Sequence, residues 1–351
     1  MITGKAIRLI AVLGVTALAC APALPRSAHA ASIYRVALVI AQGGLGDQAY
    51  NDLGYSGLQR AAHDFSNVVV RPIQSPDIVS QGASVLRTAG AAGFNEVIDL
   101  EFSNADAMAR VAPQFPHTQY AIINTVVKGP NVTSVLFEEQ DGSYLAGALA
   151  AMVTEDTRLP GINPQKIIGV IGGTKSTGID KFIVGYVQGA HAVDPRVKVL
   201  VAYSNTFGDP AKGKALATTM FDRGADIVYQ VAGGTGIGII EAAKDTGHYA
   251  IGVDADQDFL APGHVLTSMI KHTDVAVYDL VKMEAMGHMH GGRTLYFGLT
   301  NGGIDLSPMK YTRKLIPPVF LARVARMKGA IISGKIKVWN VIAQGYPSWF
   351  K

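Results

Sequence analysis

Val36-Ala37-Leu38-Val39-Ile40-Ala41 runs into Gln42-Gly43-Gly44-Leu45-Gly46-Asp47-Gln48-Ala49-Tyr50-Asn51, and the reading of this junction decides the fold class. An unbroken apolar run rich in Val and Ile, with no polar alternation, reads as a strand buried on both faces. The glycines after it allow a tight turn, and Asp47 stands where a helix would be capped. Strand, glycine-rich turn and helix make the first unit of a doubly wound α/β sheet.

Working outward, the same alternation recurs. Further strands are read at 68–73, 96–102, 120–124 and 134–137, and a second series at 167–171, 197–203, 227–231 and 249–253. Helical stretches at 51–65, 78–92, 144–153, 179–192 and 210–222 separate them. Two series imply two parallel-sheet lobes, with a seam near Glu138–Gly142. Residues 265–271 then lead into a helix through 275–289 and a strand around 295–299, which should return to the first lobe before the tail crosses back. The expected division is 32–137 plus 270–297 for one lobe and 138–269 plus 298–345 for the other. Several crossings make a hinge, with ligand held between the lobes at the carboxyl ends of the strands. The stretch 291–293 and the tail beyond Leu306 carry no readable signal.

The first thirty residues read as a secretory signal peptide. Lys5 and Arg8 precede an apolar, Ala-rich run over 9–24, and Ala28-His29-Ala30 supplies a cleavage pattern before Ala31. The run is short for a membrane span. Cys20, the only cysteine, lies inside it, so cleavage after Ala30 leaves neither thiol nor disulfide. Lipidation at Cys20 is the alternative, disfavoured because Leu18 sits one place too late for the usual pattern. Cleavage takes three basic residues, leaving 28 Lys+Arg against 27 Asp+Glu. A nearly neutral mature chain gives no reason to expect a nucleic-acid partner. An exported protein in the periplasm is the expectation.

The segments just after the strands are the ones to inspect for ligand chemistry. Gly44-x-Gly46-x-x-Ala49 formally satisfies a dinucleotide fingerprint, yet the second strand ends without the acidic residue that would grip an adenosine ribose. No cofactor is therefore expected. Asp47 can accept from ligand N–H groups and Tyr50 offers a flat face, although an N-cap and a packed ring would look the same. Aromatic rings (Tyr50, Phe182, Phe207), glycines (Gly172-Gly173, Gly233-Gly234) and acids (Asp180, Asp254, Asp256) recur at strand ends. Rings stack on planar bases, and carboxylates accept from vicinal hydroxyls. The makeup suits a nucleoside or a sugar.

Several segments together resemble the basic membrane protein family, the PnrA-like, purine-nucleoside-binding members of the type I periplasmic binding proteins. They are Asp47-x-x-Tyr50-Asn51, Phe137-Glu138-Glu139-Gln140 with Tyr144-Leu145-Ala146-Gly147, Phe207-x-Asp209-Pro210-x-Lys212-Gly213, Gly233-Gly234-Thr235-Gly236, Ile251-Gly252-Val253-Asp254-x-Asp256-Gln257 and Leu266-Thr267-Ser268-Met269-Ile270-Lys271. The resemblance runs from about residue 34 to about 306. It implies a base lying among Tyr50, Phe182 and Phe207, with Asp47 bonding its edge and Asn51 beside it. Asp254 and Lys271 would hold the ribose hydroxyls, with the Gly233-Gly234 backbone close by. Read alone, Lys271 would be a solvated surface charge. Relatives carry Asp where this chain has Asn124, which alters the donor and acceptor pattern offered to a base. Lys175-Ser176-Thr177-Gly178-Ile179 also departs from the family's usual Pro/Val-rich version.

An enzyme is the rival class, since a nucleoside-cleaving protein would hold the same ligand. The mature chain has no Cys nucleophile, no Gly-x-Ser-x-Gly elbow and no His-Glu-x-x-His, and His288-Met289-His290 has the wrong spacing for one helix face. A sugar-binding protein of the same fold is the nearer alternative. A transcriptional regulator would need a DNA-binding headpiece where the signal stands. The expectation is a single-chain, non-enzymatic binding protein that closes on its ligand and presents the closed shape to an ABC permease in the inner membrane.

Overall fold

A computed structural model describes residues 33–288 and 291–350. The segment read as an export signal, with Cys20, lies outside the described residues, as do Met289 and His290. Among those described, no helix is long and apolar enough to cross a membrane.

The first lobe alternates β1 (Tyr34–Val39), α1 (Tyr50–Asp64), β2 (Val68–Ile73), α2 (Ile78–Ala91), β3 (Glu96–Asp99), α3 (Ala105–Val111), β4 (Gln119–Ile123) and β5 (Val132–Phe137). The chain then enters the second lobe with α4 (Glu139–Thr154), β6 (Ile167–Gly172), α5 (Thr177–Val193), β7 (Lys198–Tyr203), α6 (Pro210–Asp222), β8 (Ala225–Val231), α7 (Thr235–Thr246), β9 (Tyr249–Asp254) and β10 (Val265–Lys271). It returns for α8 (Thr273–Ala285) and β11 (Arg293–Phe297), and crosses once more into β12 (Ile304–Leu306), α9 (Pro318–Ile332) and α10 (Val341–Gln344).

Each lobe holds one six-stranded sheet, in the orders β2-β1-β3-β4-β5-β11 and β7-β6-β8-β9-β10-β12. All pairings are parallel except β10 with β12. Strands such as β8, β9 and β10 are buried along their whole length, as apolar strands covered by helices on both faces must be. This is the type I periplasmic binding protein fold.

Three crossings join the lobes. At the first and third, Glu138 N–H donates to Phe297 O at 2.8 Å, and the Phe137 and Phe297 rings stack 5.2 Å apart. At the second, His272 N–H donates to Gly303 O at 3.0 Å. The crossings are thus tied to one another, so bending is concentrated in a few residues beside the cleft floor.

Helix α4 starts at Glu139, five residues before the expected 144, because its polar first turn hides the apolar period. Nearly all of α4 is buried, and α5 lies close against it. A Cβ on Gly147 would stand 2.0 Å from Tyr186 O and one on Gly189 1.9 Å from Tyr144 O, so glycine alone permits this approach. Helix α8 stops at Ala285 rather than running to 289. Gly287 takes φ +76° and His288 N–H turns back to Met283 O at 2.8 Å, a left-handed termination. After Leu306 the described chain folds back onto the second lobe, α9 packing on α4 and α10 on α5.

Candidate functional site

The strand ends of both sheets converge on one cleft. It holds about 700 Å³ free of protein atoms, open mouth included, and is walled by Tyr50, Leu100, Phe182, Phe207 and Val253. Asp47, Asn51, Asn124, Glu139, Lys181, Gly233, Asp254 and Lys271 also line it.

Asn124 and Asp254 occupy equivalent places, one just past β4 and the other ending β9. Both take positive φ, +71° and +65°. After glycine, Asn and Asp are the residues that enter this region most readily, and at a strand end it turns the side chain out of the sheet toward the cleft. Lys271, at the end of β10, is 2 % exposed. Its Nζ donates to Asn124 Oδ1 at 2.7 Å and pairs with Glu139 Oε1 at 2.8 Å. It also lies 4.9, 5.0 and 5.5 Å from the ring centres of Tyr50, Phe137 and Phe182. Lys271 is therefore a buried, paired cation, not a solvated surface charge.

Glu139, at the start of α4, bridges two ammoniums: it pairs with Lys271 and with Lys181, whose Nζ also donates to Phe137 O at 2.7 Å. Burial pushes the Glu139 carboxyl up, but Lys181 and Lys271 together hold it below the ordinary range. A buried charge without such partners would be strongly unfavourable. Sequence reasoning assigned neither Glu139 nor Lys181 a role. Lys181 carried a signal, a cation directly before the apolar run Phe182-Ile183-Val184, whereas Glu139 was hidden in the polar stretch Glu138-Glu139-Gln140-Asp141.

Asp254 differs from these. It is 7 % exposed, and among the described residues no donor is hydrogen-bonded to its carboxyl. Burial raises its pKa to about 7, against the pull of Lys271 and helped by the charges of Asp47 and Glu139. A carboxyl aimed into a cleft with free acceptor positions is suited to ligand hydroxyls or N–H groups.

The other expected residues divide. The Tyr50 hydroxyl donates to Leu100 O at 3.0 Å and accepts from Asn124 Nδ2 at 3.1 Å, so ring and amide hold each other at the wall. Asn124 is accordingly oriented on both sides. Phe182 and Phe207 line the cleft as expected, and the Phe207 ring packs against Gly173, where an added Cβ would stand 2.1 Å from it.

Asp47 reaches the cleft, but its carboxylate accepts from the N–H groups of Ala49 (3.0 Å), Asn51 (2.9 Å) and Asp52 (3.1 Å), capping α1. Asn51 accepts from Ala41 N–H at 2.9 Å and donates to Gln42 O at 3.2 Å, clamping the β1–α1 turn. Gly233 lines the cleft, whereas Gly234 stands behind it, where a Cβ would come 3.2 Å from Phe207 O and 3.7 Å from Asp47.

Contacts across the cleft also include Gln257 Nε2 donating to Gln48 O at 3.2 Å, and the Phe207 carbonyl 2.9 Å from where a Gly43 Cβ would be. The lobes are closed on each other. Among the described residues no group of three His, Cys, Asp or Glu is placed to hold a metal ion.

A family model described as ABC transporter substrate-binding protein PnrA-like matches residues 34–337. An ABC transporter nucleoside-binding protein BmpA of Lactococcus lactis subsp. cremoris is 32 % identical over 326 residues, covering 87 % of this chain and 88 % of that protein. A CD4+ T-cell-stimulating antigen of Listeria monocytogenes is 32 % identical over 326 residues, covering 87 % and 88 %. The crystal structure of an ABC transporter solute-binding protein from Aeropyrum pernix K1 superposes with TM-score 0.80 at 28 % identity, covering 88 % of this chain and 93 % of that one.

Proposed function

The chain belongs to the PnrA-like family of ABC transporter substrate-binding proteins, and from that premise we propose that its cargo is a nucleoside, purine preferred, captured by closure of the two lobes. The observation that carries this reading is Asp254, a buried carboxyl left without a donor beside a cation and three aromatic rings. Rings take a planar base, and a free carboxylate takes the two vicinal hydroxyls of ribose. The name of the Lactococcus relative agrees with this assignment. Asp47 and Asn51 act by shaping the turn under the base, and Lys271 by holding Asn124 and the rings in place.

The protein binds and releases its ligand without chemistry. Ligand contacts from both lobes favour the closed form, and the permease of the transporter reads that shape. Export through the N-terminal segment, without lipidation at Cys20, and action as a single chain in the periplasm complete the proposal.

Calorimetric titration of ligand-free protein with adenosine, guanosine, inosine, uridine, adenine and ribose tests it. Micromolar or tighter binding of a nucleoside with ribose silent is the expected result. Binding of ribose or another sugar alone, or silence from every nucleoside, would remove the nucleoside assignment and leave a substrate-binding protein of other cargo.

A further inference from the structure

The last described stretch of chain doubles back onto α5. Gln188 of α5 donates from Nε2 to Lys337 O at 3.0 Å, and its Oε1 accepts from Trp339 N–H at 2.8 Å. Trp339 Nε1 donates to Gly345 O at 2.8 Å, closing the segment around α10. Tyr346 OH then donates to Asp180 Oδ2 at 2.7 Å. Lys175 Nζ meets the same oxygen at 2.8 Å. That ammonium lies 5.2, 5.0 and 4.8 Å from the ring centres of Tyr203, Tyr346 and Phe350. The Tyr203 hydroxyl donates to the other Asp180 oxygen.

Asp180 is wholly buried at the start of α5, whose first six residues present Gly178, Ile179, Lys181 and Phe182 to the cleft. Residues two apart on a helix leave from nearly opposite faces, so Asp180 is gripped from behind while Phe182 faces forward. A buried carboxylate holds its place only while its donors stay, because losing one leaves a desolvated acceptor. One donor and two of the three rings around Lys175 come from the tail or lie against it. The family match ends at residue 337, so Trp339, Tyr346 and Phe350 lie beyond it.

We propose that segment 338–350 is a latch that positions the cleft-facing first turn of α5, making Tyr346, Phe350 and Asp180 positioning residues for ligand capture. The tail contacts converge on the back of the one turn whose front forms the cleft wall. Ligand affinity then depends on residues that never touch the ligand. The inference rests on the nucleoside reading only for its probe.

Two variants test it, Tyr346→Phe, which keeps the ring and removes one hydrogen bond, and the double variant Tyr346→Ala/Phe350→Ala. Amide hydrogen exchange at 178–182 and adenosine titration are the two readouts. Faster exchange confined to that turn, with adenosine affinity about tenfold weaker in the double variant, is expected. The only two tryptophans, Trp339 and Trp349, lie in the latch, so adenosine should also change the emission of the unaltered protein. Unchanged exchange at 178–182 in both variants would overturn the proposal. So would faster exchange with wild-type adenosine affinity, which would make the tail a stabilising strap only. If the unaltered protein binds none of adenosine, guanosine, inosine and uridine, the nucleoside reading fails by itself, and exchange at 178–182 alone decides whether the latch stands; if it binds another of these but not adenosine, that nucleoside replaces adenosine as the probe.

Discussion

Asp254→Asn separates what the site does for binding from what it does to stability. The Asp254 carboxyl has its pKa raised from 3.8 to about 7 by burial. The unfolded chain loses this proton near 3.8 and the folded chain near 7, so between those values the folded state binds more protons. Stability therefore falls as pH rises from about 4 to about 7 and stays lowered above that. At about 1.4 kcal/mol per pKa unit, the ionised carboxylate costs the free protein up to about 4 kcal/mol at pH 8. Asn cannot ionise, so the variant should melt higher than the unaltered protein at pH 8 and converge with it near pH 4.

Binding moves the other way. Hydrogen bonds to a charged acceptor are worth about 1.5–3 kcal/mol each, and Asn keeps one oxygen, so the loss is about 2–4 kcal/mol, or roughly 30- to 1000-fold in nucleoside affinity. Ligand hydroxyls favour the ionised carboxyl. Affinity of the unaltered protein should therefore rise with pH to about 7 and then level, with a proton released below that value in calorimetry across buffers. Nucleoside affinity in the Asn variant within about threefold of normal at pH 8 would refute the reasoning.

Glu139→Gln leaves the buried ammoniums of Lys181 and Lys271 without their shared anion and should cost about 3–5 kcal/mol in thermal or urea unfolding. Asp47→Ala removes the acceptor of three backbone N–H groups, so it should destabilise α1 by about 1–2 kcal/mol and weaken nucleoside binding less than Asp254→Asn does, measured by unfolding and titration together. Phe182→Ala should lower nucleoside affinity by about 1–3 kcal/mol through lost stacking, with ribose remaining silent in the same titration.

The two-series pattern of apolar strands was legible because strand burial is written in local composition: a stretch such as 227–231 needs no partner to be recognised. The position of the cleft was legible for the same reason, since it follows from where strands end. Asp254, Lys271, Phe182 and Phe207 stand there, and the structure brings them together. Tertiary structure alone decided what each group is free to do. Asp47 and Asn51 look like ligand groups in sequence, but the backbone of their own turn takes up their polar atoms. Asn124 is set by Lys271, 147 residues away, and Lys271 by Glu139, across separate crossings of the chain. The tail, unreadable by itself, acquires meaning only where Tyr346 meets Asp180. Periodicity and composition are local properties that a sequence carries openly. Hydrogen-bond saturation and charge pairing are relations between distant residues, and they exist only once the chain has folded.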